Sequence, residues 1–452
     1  MVIVAWALLV PPFSVPDEAE HFAYVQSLAE NGERPPQNPG PLVGVTPYST
    51  EERVAFVVVR GNAPVFDANF RPAWSSSAED RWRAASRDLS RDDIAAVGPQ
   101  ASNSPLYYLY ETAPYAAASG GDLFDRMLAM RLWSGLLMLV TAAGAWLLIG
   151  ELVRDRTLQL AGAACVGLQP MATFMSAGVN PDALLFAASS LGLWLAVRVA
   201  RRGASAATVA GLLAAAFLAA LAKPAGAALI PAVVLVLAVA LARRYRPLAA
   251  VGAVALGAAV LGGALVAQEG LVRDRTPVDL RPDVLRGFGT YIWDFYLPRL
   301  PFQFDYGMSG DAGWNLFQQA WAAFGFLEVH FPNAVYIVLA AVAVATLAAA
   351  AAALLRQRFE VDRLTLAIFG LTALALLLGV HWADFQRVRD GTGHSIQGRY
   401  LLPLMPIVAV AVAAAVSNLP RARRAVAVAG VLAGMAALQL LSMSMVAGRF
   451  LA

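Results

Sequence analysis

The chain has 452 residues, 59% of them hydrophobic and only 14% charged, and its mean hydropathy is positive. No soluble domain of this length could hide that much apolar surface, and repeated apolar runs of about 18 residues or more read as membrane-spanning helices. The formal net charge of +3 excludes little, whereas the single cysteine, Cys165 inside an apolar run, excludes a disulfide framework and a cysteine-based metal site.

The first apolar run, Val2 to Val10, is stopped by Pro11 and Pro12, which lack the amide proton a continuing helix needs. Residues 1–13 would cover only about 20 Å at helical rise, short of a hydrocarbon core of roughly 30 Å. The run resembles a signal-peptide core in length but has neither a basic start nor a small-residue cleavage pattern. It is expected to be a true first helix that begins before Met1. Beyond it, Asp17, His21 and Tyr24, with Glu18 three residues before His21, share one face of a new helix. An acidic face at the membrane surface points to chemistry there. Acidic side chains also favour helix N-termini, so a plain solvated helix start is the competing reading.

About eleven spans follow from the hydropathy pattern. After the short first one come 131–150, 157–176, 182–199, 205–222, 225–242, 248–268, 333–355, 364–381, 400–418 and 425–446. Arginines punctuate alternate connections, for example Arg198, Arg201 and Arg202, then Arg421, Arg423 and Arg424. The positive-inside rule places those turns in the cytoplasm. The segment after Asp17 then faces outward, and an odd number of spans leaves the C-terminus outside.

The pattern divides the chain into four parts. Residues 1–130 hold the first span and a large external loop with the acidic motif and juxtamembrane helices. Residues 131–268 hold spans two to seven, 269–332 an external loop rich in aromatics and proline, and 333–452 spans eight to eleven. Within the first loop, 31–104 reads as a loop-rich subdomain with a few short helices. The stretch Ser104 to Tyr110, leading into Tyr115, suits a helix lying in the interface, where tyrosine combines an apolar body with a polar tip.

Polar residues collect at the outward helix ends. Asp17, Glu18 and His21 follow span one, and Asn180-Pro181-Asp182 opens span four. Lys223, the only lysine of the chain, lies between spans five and six. His381 and Asp384 end span nine, and Gln397, Arg399 and Tyr400 open span ten. Taken singly, Lys223 or Arg399 could be a snorkelling anchor and Asp182 a helix cap. Gathered on one side, they describe a common site, because ionisable groups at membrane depth usually face a protein interior or a watery cavity. Carboxylates there offer a general base or ligands for a hard divalent metal. Lysine and arginine stabilise a phosphate, arginine through two parallel hydrogen bonds. A phosphate at the outer surface implies a phospholipid or a polyprenyl phosphate.

Several of these motifs resemble the GT-C superfamily of membrane glycosyltransferases, which use polyprenyl-phosphate sugars. The resemblance lies in Pro16-Asp17-Glu18 followed by His21, in Ser104-Pro105-Leu106-Tyr107-Tyr108, in Ser176 to Ala183 with Lys223-Pro224, and in Gln397 to Pro403. Ser104 to Tyr108 is similar to the juxtamembrane element of that superfamily's first loop, and Ser176 to Ala183, Lys223-Pro224 and Gln397 to Pro403 are similar to a largely uncharacterised bacterial branch. It implies an all-α integral membrane fold, GT-C-like, with about eleven transmembrane helices. It further implies Asp17 as catalytic base with Glu18 as partner or positioning group, Asp182 as a second acidic residue, and Lys223 and Arg399 on the donor phosphate. His21, Asn180, Gln397 and Tyr400 would complete the substrate site. Metal candidates are Asp17, Glu18 and Asp182, although no ligand spacing is diagnostic. The expected reaction is inverting transfer from a polyprenyl-phosphate sugar to a hydroxyl of a cell-envelope glycan or glycolipid. It would take place on the extracytoplasmic face of a bacterial plasma membrane, with no nucleic-acid partner. A transporter or flippase of a lipid-linked sugar is the alternative. A transporter site sits near mid-membrane, often on broken helices, whereas these charges gather at outer helix ends.

Overall fold

In the computed structural model the described residues are 1–36, 48–60, 76–86, 89–94, 98–244, 281–308 and 310–451. Among them every regular element is helical, apart from one isolated antiparallel bridge between Phe324 and Val329.

The first helix, α1 (Val2–Leu9), has 8 residues and ends at Val10 in an extended conformation, as the two following prolines require. At 1.5 Å per residue these 8 residues rise about 12 Å, less than a hydrocarbon core of roughly 30 Å. Helices α2 (Glu18–Asn31), α3 (Thr50–Arg60), α4 (Ser76–Ala85) and α5 (Leu106–Ala117) then build the first loop. Their shared core includes Phe22, Tyr24, Trp82, Tyr107, Tyr108 and Tyr115. The tyrosines expected at a lipid interface are therefore packed inward: Tyr24 stacks on Tyr108 at 3.7 Å between ring centroids.

The bundle comprises α6 (Leu123–Leu152), α7 (Arg156–Gly167), α8 (Pro170–Ser176), α9 (Asp182–Arg202), α10 (Ala206–Ala222) and α11 (Ile230–Arg244). After α12 (Pro282–Tyr296) and α13 (Ala312–Trp321) it continues with α14 (Asn333–Leu355), α15 (Arg363–Arg389), α16 (Met405–Ser417) and α17 (Arg421–Phe450). Short 3₁₀ turns at Pro224–Leu229 and Gly398–Leu404 lead into α11 and α16. By length and composition seven helical segments can cross a membrane, or eight if α7 and α8 form one span. That pair bends by 60° at Gln169-Pro170, where proline takes the first position of the new helix and Gln169 caps it.

The eleven spans expected from hydropathy are thus not reproduced. The apolar runs exist, but α1 has 8 residues and α10 has 17, and the run 248–268 lies outside the described residues. Helix α6 also starts earlier than the 131 expected. Asp122 and Asp125 form a capping box ahead of Leu123.

Helix α6 packs along α9, α9 along α10, and α7 against α6 and α16. A buried polar link ties α1 and α8 to α17. Trp6 Nε1 donates to Gln439 Oε1 at 2.8 Å, and Gln439 Nε2 donates to Thr173 Oγ1 at 2.6 Å. At one end of the bundle Glu151 accepts from Arg198 and Arg202, and Asp155 pairs with Arg424. The opposite end carries Asp17, Asp182, Lys223 and Arg399.

Candidate functional site

The turn from α1 to α2 is tight, and two of its residues, Phe13 and Asp17, have φ of 60° and 62°. Left-handed backbone is costly for phenylalanine and tolerated by aspartate. Such conformations persist where surrounding contacts over-determine them. The main contact is Arg131 of α6, 3% exposed. Its guanidinium donates to the carbonyls of Ala7, Val10 and Pro11 at 3.1, 2.6 and 2.9 Å. It also donates to both oxygens of Glu18, at 2.8 and 2.6 Å. The loop 178–182 closes the turn from the other side. Val179 N–H donates to Glu18 Oε1 at 3.2 Å, and Asn180 Nδ2 donates to the Pro16 carbonyl at 2.9 Å. A Cβ on Gly178 would lie 2.6 Å from Val15, so this approach requires glycine.

The acidic pair is thereby split. Glu18 is fully buried and held on both oxygens, whereas the Asp17 side chain stays 36% exposed. The helical face of Glu18, His21 and Tyr24 is real, but all three side chains point into protein and none forms a solvated helix start.

From Asp17 an alternating ribbon of charge runs across four segments that are distant in sequence. Arg399 Nη2 lies 3.2 Å from Asp17 Oδ2, Arg399 Nε lies 3.9 Å from Asp182 Oδ2, and Lys223 Nζ lies 2.8 Å from Asp182 Oδ1. The ribbon is incompletely satisfied. Asp182 Oδ2, Arg399 Nε and His21 Nε2 are buried without a hydrogen-bond partner. Buried polar atoms of this kind call for an explanation, and a ligand or ordered water at the site supplies one.

His21 lies beneath the ribbon. The Tyr108 hydroxyl accepts from Asn103 Nδ2 at 2.9 Å and also lies 2.9 Å from His21 Nδ1. Burial, reinforced by nearby Lys223, holds His21 well below its ordinary range, so it is neutral. Glu20, one residue earlier, accepts from Gln100 N–H at 3.2 Å, and burial pushes its carboxyl up to about 7.

A cavity of about 430 Å³ opens over the ribbon. Asp17, Lys223, Arg399 and Tyr400 line its polar end, and its wall is aliphatic, made by Leu376, Gly379 and Val380 of α15 and Ala225 to Ala228 of the 3₁₀ turn. Of the residues singled out from sequence, these four and Asp384 line the cavity. Asp182 and His21 lie buried beside them, and Glu18 and Asn180 brace the turn behind. Gln397 precedes the second 3₁₀ turn with a buried, unpartnered Oε1. The aromatics of 107–115 and 291–306 do not line this cavity; Tyr107, Tyr108 and Tyr115 pack in the core around α2, Tyr291, Phe295 and Tyr306 pack around α12, and Phe302 and Phe304 are exposed.

The carboxylates named as metal candidates do not gather. Among the described residues no three or more His, Cys, Asp or Glu side chains converge as a metal site. Both Glu18 oxygens belong to Arg131, and Asp182 faces two cations.

The contacts of two residues were not legible in the sequence. Arg131 sits at the head of an apolar run, and its isolation there was the available signal. Asp384 accepts from Tyr291 Oη at 2.8 Å, His394 Nδ1 at 2.8 Å, and the Ser395 and Ile396 amides at 2.5 and 2.9 Å. It anchors the irregular segment that leads to Arg399. The Asp384 position at a helix end was visible in sequence, but its partners were not.

A family model described as a predicted membrane protein, DUF2142, matches residues 1–271, more than half of the chain, and the chain belongs to that family. No curated protein matches. Two solved structures, both of ArnT from Cupriavidus metallidurans, align with it. The apo form covers 98% of this chain and 72% of its own, at 16% identity and a TM-score of 0.43. The form bound to undecaprenyl phosphate covers 99% and 72%, at 15% identity and a TM-score of 0.48.

Proposed function

We propose that this DUF2142 member is an inverting, GT-C-type glycosyltransferase that moves a sugar from a polyprenyl-phosphate carrier to a hydroxyl of a cell-envelope glycan or glycolipid, at the extracytoplasmic membrane surface. The observation that carries this reading is the cavity itself. It brings two cations and a partly exposed carboxylate to one end of an aliphatic groove, a complement to a phosphate on a long hydrocarbon chain. The motif resemblance around Asp17, Lys223 and Arg399 supports the same assignment.

In this reading the donor phosphodiester docks between Arg399 and Lys223, and its prenyl chain follows the α15 wall. Asp17, with one oxygen on Arg399 and the other free of hydrogen bonds among the described residues, takes the proton of the acceptor hydroxyl. That oxygen forms the new bond to the anomeric carbon from the face opposite the phosphate. The carbon–oxygen bond to phosphate breaks with its electron pair on the phosphate, which leaves as polyprenyl phosphate with one more negative charge. Arg399 and Lys223 are placed to stabilise that charge as it develops. Glu18 acts through Arg131 by fixing the Asp17 turn, as a positioning residue.

The test is transfer by the protein in nanodiscs, from a panel of synthetic polyprenyl-phosphate sugars. Asp17→Asn is expected to lower turnover by about 10²–10⁴-fold with an unchanged melting temperature. Undiminished transfer by the folded variant would remove Asp17 from the mechanism. Movement of a donor across proteoliposomes without transfer would favour a transporter.

A further inference from the structure

A second cavity, of about 200 Å³, lies on α13 and α12, against the segment 394–396. Ile396 lines both this cavity and the one that holds Asp17. The polar lining is made of amides. Asn315 and Gln319, one turn apart on α13, both border the space. Gln319 Oε1 accepts the Gly398 amide at 3.1 Å, which orients its NH₂ group as a free pair of donors. The Asn315 side chain makes no hydrogen bond among the described residues. The remaining lining includes Phe295, Leu316 and Ile396, together with His394, whose ring nitrogens lie 2.8 Å from Asp384 Oδ2 and 3.0 Å from the Tyr306 carbonyl.

We infer that this cavity is a saccharide-binding subsite, which holds one uncharged sugar ring of the acceptor; the inference rests on the glycosyltransferase reading for its place in a reaction but not for its ligand. The lining excludes the alternatives. Among the described residues that line it, no free cation is present to hold a phosphate or carboxylate, and no free carboxylate to hold an amine. Two amides and an aromatic ring offer donors and acceptors for hydroxyls and an apolar floor for the ring's C–H face. A few placed polar groups in an apolar concavity are what fix a small ligand's orientation. The volume is below the roughly 300 Å³ at which drug-sized sites begin, which suits a single ring. The subsite is also mechanically joined to the chemistry. Gly398 packs so closely on α13 that a Cβ would lie 2.2 Å from the Ala320 nitrogen, and the next residue is Arg399. A sugar held by Gln319 therefore braces the backbone that carries the phosphate-binding arginine.

The experiment is saturation-transfer NMR on the full chain in nanodiscs, with neutral methyl hexosides and methyl pentosides as probes and no donor present. At least one glycoside is expected to show saturation transfer that falls fivefold or more in Asn315→Leu, which fills the cavity, and in Gln319→Ala. Arg399→Gln, which removes a phosphate ligand, is expected to leave that signal within twofold. No glycoside signal in the wild type, or a signal unaffected by Asn315→Leu, overturns the subsite. Undecaprenyl phosphate binding, measured in parallel, separates the two proposals. If Arg399→Gln leaves that binding intact while Asn315→Leu abolishes glycoside binding, the donor assignment fails and the saccharide site stands.

Discussion

Two arginine–carboxylate assemblies lie side by side at one end of this bundle, and they differ in a single respect. In the Arg131–Glu18 clamp the guanidinium reaches two carboxylate oxygens and three carbonyls, and Glu18 is filled on both oxygens. In the Asp17–Arg399–Asp182–Lys223 ribbon three buried polar atoms in and beside the ribbon lack partners, and its outer carboxylate is partly exposed. Both assemblies pair arginine with carboxylates. The saturated one braces the backbone, and the unsaturated one has capacity left for a ligand.

The comparison breaks most sharply at Arg131. Arg131→Ala leaves a buried Glu18 charge and three carbonyls unpaired, and is expected to lower stability by about 3–5 kcal/mol. Thermal unfolding in detergent measures this, and Arg131→Lys is expected to recover only part of it, since an ammonium cannot reproduce the fork. A small effect from Arg131→Ala would mean that the clamp is not what holds the Asp17 turn.

Arg399→Gln probes the ribbon. One charge-assisted contact to phosphate is worth about 1.5–3 kcal/mol, so undecaprenyl phosphate is expected to bind roughly 10–100-fold more weakly. The melting temperature is expected to move far less than in Arg131→Ala. Equal losses of stability in both variants would erase the distinction between the assemblies.

The smallest expected effect concerns Glu20, beside the ribbon. Its carboxyl is raised from 4.5 to about 7, first by burial. Between those values the unfolded chain ionises while the folded chain keeps its proton. The stability that Glu20 contributes is present below about 4.5, falls as pH rises towards 7, and levels off above. Glu20→Gln removes this slope. Relative to wild type the variant is expected to gain on the order of 1–2 kcal/mol between pH 5 and pH 7.5, read from paired melting curves. A constant difference across that range would show that Glu20 titrates normally.

Asp17 and Glu18 also show how far local pattern reaches. Their position after a proline-terminated apolar run marked the site in sequence, but as neighbours on one helix start they looked equivalent. What distinguishes them is Arg131, 113 residues away from Glu18, and Arg399, 382 residues away from Asp17. The count of eleven spans is not shown for a related reason. Hydropathy registers that 205–222 is apolar, but helix length is set by where prolines and caps cut the chain, and α10 has 17 residues between the Ser205 cap and Lys223-Pro224.

The sequence by itself determined the class of the molecule and the order in which polar residues punctuate its helices. Both depend on composition and on local backbone chemistry, which neighbouring residues dictate. Only the tertiary structure decided which carboxylate is held and which is free, that Lys223 and Arg399 share Asp182, and that amides of α13 border a second cavity beside the first. Those outcomes depend on long-range packing, which decides the partner each buried charge receives and which polar atoms are left without one.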